Sequence, residues 1–146
     1  LKITDRKKEI FKLSAGKYIA PQVIENKLKE SPFIENCMVV GENQKFASAI
    51  ITPDFGRLKE WANRGKIEYG DNLELSRNKE VIEKINLEVE KINSKLAFHE
   101  QIKRVKIVVD EWTPLNDMLS QTLKLKRANI RTKYRGLIEE IYHNNS

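Results

Sequence analysis

Two short segments concentrate residue types that packing does not need. Near the start, Asp5, Arg6, Lys7, Lys8 and Glu9 lead through Ile10 and Phe11 to Lys12, Leu13, Ser14, Ala15, Gly16 and Lys17; near the end come Thr122, Leu123, Lys124, Leu125, Lys126 and Arg127. A lysine or arginine held beside a loop hydrogen-bonds phosphate, carboxylate or ribose, and such bonds exceed neutral ones because one partner is ionised. Binding of an anionic group is therefore the chemistry open to these segments, and an anionic nucleotide would suit them. Gly16 permits a positive φ or the close passage of a ligand chain, although a single glycine by itself reads as structural. Other chemistries find no footing: His99 and His143 are far apart, no Cys or His spacing fits zinc, and no Ser, His and Asp arrangement stands out.

The elements that must position these segments follow from periodicity. Residues 1–4 and 9–13 alternate as strands do and flank the charged stretch 5–8, which reads as a short β-ribbon with a charged turn. A loop around Ala15 and Gly16 leads to Pro21, which opens a helix with Val23, Ile24 and Leu28 on its apolar side. Residues 33–40 and 46–52 are β-rich runs joined by Gly41, Glu42, Asn43 and Gln44, an antiparallel pair. Asp54 is placed to cap a short helix through Leu58 and Trp61, and residues 63–76 form a polar connection. In the longer helix that follows, Ile82, Ile85, Val89, Ile92 and Leu96 repeat at spacings of three and four and form a core stripe. Val105, Ile107 and Val109 alternate as a third strand that Trp112, Thr113 and Pro114 close; residues 128–142 read as one amphipathic helix. The expected fold class is α+β: a small central sheet of about three strands flanked by about four helices, with an N-terminal β-ribbon.

The totals fit a single domain over residues 1–146. The chain has 146 residues, 40% of them hydrophobic and 33% charged, which suits one folded core. No apolar run approaches the roughly 20 residues of a membrane-spanning helix. The single cysteine, Cys37, sits in an apolar run and reads as core packing; with no partner for a disulfide, a reducing cytoplasmic location is the simpler assumption. Trp61, Trp112 and Tyr134 likewise occupy packing positions. The formal charge of +6 calls for an anionic partner without saying which. The chain opens at Leu1 in what reads as the middle of a strand, without a signal-peptide pattern, as a piece cut from a longer polypeptide would.

The run from Asp5 to Ser14, followed by Ala15, Gly16, Lys17, Tyr18, Ile19, Ala20 and Pro21 and then Ile24 and Glu25, closely resembles the start of the C-terminal domain of AMP-forming acyl-CoA synthetases, and the long-chain fatty-acid branch most of all. The segment from Thr122 to Arg127 resembles the Thr-Leu-Lys-x-Lys-Arg segment near the end of that domain, with a helix following in the expected place. The loop after Ser14 is one residue longer than in many acyl- and aryl-CoA ligases, as in the long-chain branch.

The resemblance implies a mobile C-terminal domain whose large N-terminal adenylation domain is its partner. It implies activation of a fatty acid with ATP as acyl-AMP, then thioester formation with CoA after domain rotation, with Mg2+ bound mainly by the N-terminal domain. By the same resemblance Asp5 and Arg6 are nucleotide-binding, with Arg6 on the ribose hydroxyls, and Lys8 is the hinge. Lys124 serves as the catalytic lysine of the first conformation and Lys12 as that of the second, while Ser14, Ala15 and Gly16 belong to the loop lining the CoA tunnel. Segment 116–120 has no position-by-position counterpart, so the register of Lys124 against Lys126 stays open. Peripheral membrane association of the full-length enzyme is compatible with this reading.

The alternative is a basic module for nucleic acid or an anionic membrane, built on Lys124, Lys126, Arg127, Arg131, Lys133 and Arg135. Aromatic residues are not interleaved among these charges, and Glu139 and Glu140 oppose them, so no nucleic-acid partner is expected. Otherwise Lys7, Lys17, Lys126, Arg127, Arg131, Lys133 and Arg135 read most simply as solvated charge.

Overall fold

The computed structural model describes residues 10–143. Strands β1 (Phe11–Lys12) and β2 (Tyr18–Ile19) pair antiparallel, Phe11 opposite Ile19 and Lys12 opposite Tyr18. The ribbon expected over residues 1–13 has its first strand and charged turn outside the described residues; the ribbon that is seen lies later and turns through Ser14, Ala15 and Gly16. Its burial explains it: Leu13 and Ile19 point into the core at 3% and 0% exposure, while Tyr18 is 60% exposed.

Helix α1 (Pro21–Leu28) begins on its proline as expected, and Pro21, Ile24, Glu25 and Leu28 form its buried face. Val23, expected on that face, points outward. Strands β3 (Ile34–Val40) and β4 (Ala47–Pro53) pair antiparallel. Their turn needs Gly41: φ is +144° and a Cβ there would lie 2.9 Å from the Phe46 carbonyl oxygen. Asp54 caps α2 (Phe55–Arg64), accepting from the Arg57 amide at 3.2 Å.

The stretch read as a polar connection contains a further helix, α3 (Asn72–Arg77), because Asp71 accepts from the Glu74 amide and Leu75 is fully buried. Asn78 then caps α4 (Lys79–Asn93), whose buried stripe is Val81, Ile85, Val89 and Ile92; Ile82, expected within it, is 38% exposed. The chain returns as β5 (Ile102–Ile107), parallel to β4, which is why a helical crossover separates the two. The sheet order β3-β4-β5 puts β4 in the centre, and all seven of its residues are buried.

Two cores lie on the two faces of this sheet. Alternation sends Cys37 and Val39 to one face, with Leu13, Ile19, Ile24, Leu58 and Ile85. It sends Met38, Val40 and Ile50 to the other, with Trp112, Met118, Leu119, Ile130 and Tyr134. The expected single terminal helix is two, α5 (Arg127–Lys133) and α6 (Arg135–His143), interrupted at Tyr134, whose buried hydroxyl is tied to Trp112. The described residues thus hold six α-helices where about four were expected, and the α+β class with a three-stranded central sheet and a β-ribbon stands.

Candidate functional site

Asp5, Arg6 and Lys8 lie outside the described residues. Lys12, Ser14, Ala15 and Gly16 come together on the ribbon. Backbone bonds hold it: the Leu13 amide donates to the Lys17 carbonyl at 2.8 Å and the Gly16 amide to the Leu13 carbonyl at 2.8 Å. Two more join it to the β3–β4 turn, from the Ser14 amide to the Gln44 carbonyl at 2.9 Å and from the Asn43 amide to the Lys12 carbonyl at 2.8 Å. Gly16 has φ +94°, and a Cβ there would meet nothing within 4 Å, so backbone conformation alone asks for glycine. The Lys12 ammonium stands 5.9 Å from the Tyr18 ring centroid.

Lys124 sits on a small hairpin in the long segment between β5 and α5. Leu119 and Leu125 form an antiparallel bridge, and the Lys126 amide donates to the Met118 carbonyl at 2.9 Å. Ser120 brackets the lysine: its amide donates to the Lys124 carbonyl at 2.8 Å, and its hydroxyl accepts from the Lys124 amide at 3.1 Å. Between them Leu123 takes φ +66°, a conformation costly for a side-chain-bearing residue, and is 64% exposed. Among the described residues Lys124 is exposed and has no ion pair, whereas Lys126 lies 3.5 Å from an Asp117 carboxylate oxygen.

Side chains anchor the segment that carries this hairpin. At its entry the Trp112 indole N–H donates to the Tyr134 hydroxyl at 3.1 Å, and that hydroxyl donates to Asp110 at 2.8 Å. Burial pushes the Tyr134 phenol well above its ordinary range; the bond from Trp112 opposes this and the Asp110 carboxylate adds to it, so the hydroxyl stays protonated. At its exit Arg127 makes a bidentate ion pair with Glu25, at 2.7 and 2.6 Å. Asn129 and Asn116 add side-chain bonds to the Asp117 and Glu111 carbonyls.

Arg127 corrects the reading of solvated charge: its side chain is 12% exposed and that of Glu25 is 5% exposed. The available signal was the helical spacing of Pro21, Ile24, Glu25 and Leu28, which puts one carboxylate on an apolar face and so demands a cation from elsewhere. Cys37 is core, as expected, and burial pushes its thiol far up. Among the described residues no group of three or more His, Cys, Asp or Glu side chains could hold a metal ion. No helix among them is long and apolar enough to cross a membrane.

The two lysines are therefore not brought together. The ribbon is anchored by Leu13 and Ile19 in the core on one face of the sheet, and the hairpin by Met118 and Leu119 in the core on the other. A cleft of about 470 Å³ opens between Phe11 on the ribbon side and Arg131, Ile138 and Tyr142 on the other, and neither candidate lysine lines it. Lys12 is exposed on strand β1 and Lys124 on the hairpin, each outside the cleft.

Comparison with known proteins agrees with this architecture. The family model described as the AMP-binding enzyme C-terminal domain matches residues 8–146. Long-chain-fatty-acid–CoA ligase 1 of Cavia porcellus is 39% identical over 145 residues, covering 97% of this chain and 21% of the relative. Long-chain-fatty-acid–CoA ligase 6 of Homo sapiens is 37% identical with the same coverage. This chain thus spans about a fifth of the length of such relatives. The A domain of carboxylic acid reductase from Segniliparus rugosus, solved in complex with AMP and a co-purified carboxylic acid, shares the fold: TM-score 0.75 at 23% identity, over 97% of this chain and 21% of that one. With a family model matching nearly its whole length and a shared fold, this chain belongs to the family of AMP-binding enzyme C-terminal domains.

Proposed function

We propose that this chain is the mobile C-terminal domain of an AMP-forming long-chain fatty-acid–CoA ligase and that it presents two different lysines to one active site in turn. The observation that carries the reading is the placement of Lys12 on a ribbon and Lys124 on a hairpin that are anchored at opposite faces of one sheet. A single rigid orientation cannot offer both lysines to the same substrate, but rotation of the domain against a large N-terminal adenylation domain can.

In the first half-reaction the fatty-acid carboxylate oxygen attacks the α-phosphorus of ATP, the bond to the bridging oxygen breaks, and pyrophosphate leaves. Two anions must approach and negative charge accumulates between them, so an ammonium fixed there orients both and stabilises the transition state. Lys124 fits this role better than Lys126, because Lys126 is occupied by Asp117 and its amide belongs to the hairpin's closing pair. Arg6 would hold the ribose hydroxyls and Asp5 the same nucleotide. In the second half-reaction the CoA sulfur attacks the acyl carbon and AMP leaves. Lys12 would then face the site, with Ser14, Ala15 and Gly16 lining the path of the pantetheine chain and Lys8 as the pivot.

The described residues offer no cluster for magnesium, an ion that the N-terminal domain would mainly hold. A cytoplasmic setting is favoured by the one free, buried cysteine. The rival basic module is weakened by pairing within the fold: Lys126, Arg127 and Lys133 face Asp117, Glu25 and Asp110.

The test is fatty-acid-dependent exchange of labelled pyrophosphate into ATP by the full-length polypeptide. Wild type is expected to exchange, and Lys124→Ala to lose at least about a hundredfold, the scale of removing one preorganised charge. Absence of exchange with any carboxylate in wild type would end the ligase reading.

A further inference from the structure

The ion pair between Glu25 and Arg127 joins the helix that follows the ribbon to the helix that follows the Lys124 hairpin. Glu25 lies on α1, directly after the ribbon; Arg127 opens α5, three residues beyond Lys124. Strand β3 is an edge of the sheet, and its Val39 amide, facing away from β4, donates to a Glu25 carboxylate oxygen at 2.8 Å. The same carboxylate receives both guanidinium nitrogens of Arg127 at 2.7 and 2.6 Å. One carboxylate therefore grips the sheet edge, the helix behind the ribbon and the residue that ends the Lys124 hairpin. Its side chain is 5% exposed, so water screens these bonds little.

We infer that Glu25 and Arg127 are positioning residues that fix the exit of the Lys124 hairpin to α1 and the β3 edge, so that domain rotation brings Lys124 to a reproducible place. This rests on the proposed role of Lys124. The geometry argues for orientation as well as stability. A planar, two-bond fork defines direction, which a lysine ammonium at the same place cannot do. Among the described residues, the other polar ties near the hairpin's exit run within its own segment, from Lys126 to Met118 and Asp117 and from Asn129 to Asp117. The Arg127 pair joins this exit to α1 and β3, so play at residue 127 passes to residue 124. Small displacements of a reacting group cost heavily, up to about a hundredfold for about 1 Å.

The experiment uses the full-length polypeptide with Arg127→Lys, which keeps the charge and loses the fork, and Glu25→Gln as a second variant should the first not fold. Three quantities are read: fatty-acid-dependent pyrophosphate exchange, thioester formation from supplied acyl-adenylate and CoA, and the unfolding temperature. The expected result is a fall of about tenfold in exchange, carried by kcat with KM for ATP and fatty acid within about twofold, while thioester formation stays within about twofold. A purely structural role would lower both half-reactions together; an unchanged ratio of the two rates in either variant overturns the inference. Lys124→Ala, run alongside, separates the levels. If it keeps exchange, the underlying reading fails and the positioning role with it. If it loses exchange while Arg127→Lys leaves the ratio at the wild-type value, only the positioning role fails.

Discussion

The ribbon around Gly16 is closed by backbone groups, whereas the hairpin around Lys124 and the segment carrying it depend on side chains. Around the ribbon, the amides of Leu13, Ser14, Gly16 and Asn43 all bond to backbone carbonyls. Around the hairpin, Ser120, Asn116, Asn129, Trp112, Tyr134 and Arg127 each contribute a side-chain bond. Backbone bonds survive most substitutions, so the shape of the first turn is insensitive to sequence except where φ demands glycine. The second shape is written in named residues, and each is a place where it can be broken. The long segment between β5 and α5 has little regular structure to hold it, and side chains supply what a ladder would.

The strongest way to test this contrast is at the lysines themselves. In the full-length polypeptide Lys12→Ala is expected to keep pyrophosphate exchange within about twofold of wild type and to lose about a hundredfold in thioester formation. Lys124→Ala should show the reverse order of damage. Loss of both half-reactions in Lys12→Ala would mean that the two faces do not act separately.

A smaller effect tests the side-chain anchoring. Tyr134→Phe removes the hydroxyl that accepts from the Trp112 indole and donates to Asp110, leaving a buried N–H without its acceptor. The expected cost is about 1–3 kcal/mol, read as a lower unfolding temperature. Both rings keep their packing, their centroids 6.1 Å apart, so the loss reports the hydrogen bonds. A shift near zero would mean that apolar contacts, not this network, hold the entry to the Lys124 segment.

Much of the fold was legible because its signals are local. Pro21 at a helix start, Asp54 as a cap, the turn at Gly41 and the stripe through Ile85, Val89 and Ile92 each act within a few residues. What escaped depends on distant partners. The buried hydroxyl of Tyr134 is tied to Trp112, 22 residues away, and the burial of Arg127 follows from Glu25, 102 residues away. Helix α3 escaped because six residues are too few for a periodic pattern, and only its cap at Asp71 marks it. The candidate lysines were found by residue type and by resemblance to a family. That they stand at opposite faces was not legible, because it depends on which core takes Ile19 and which takes Leu119.

The smallest expected effects bear on Gly16 and Leu123, two of the turn residues with positive φ. Gly16→Ala adds a methyl that meets nothing within 4 Å, so its cost is the left-handed backbone alone, about 1 kcal/mol, or about 3 °C in unfolding temperature. Leu123→Gly removes a similar penalty at φ +66°, but the glycine also frees the unfolded chain by about 0.5–1 kcal/mol, so the two nearly cancel. Because Leu123 is 64% exposed, little buried area is lost, and the net shift should be within about 0.5 kcal/mol of zero. Thermal unfolding of the four combinations would show one turn that pays for losing its glycine and another indifferent to gaining one. If Leu123→Gly leaves stability unchanged and yet lowers pyrophosphate exchange in the full-length polypeptide, the leucine is held in its strained conformation for the surface it meets when Lys124 is in use.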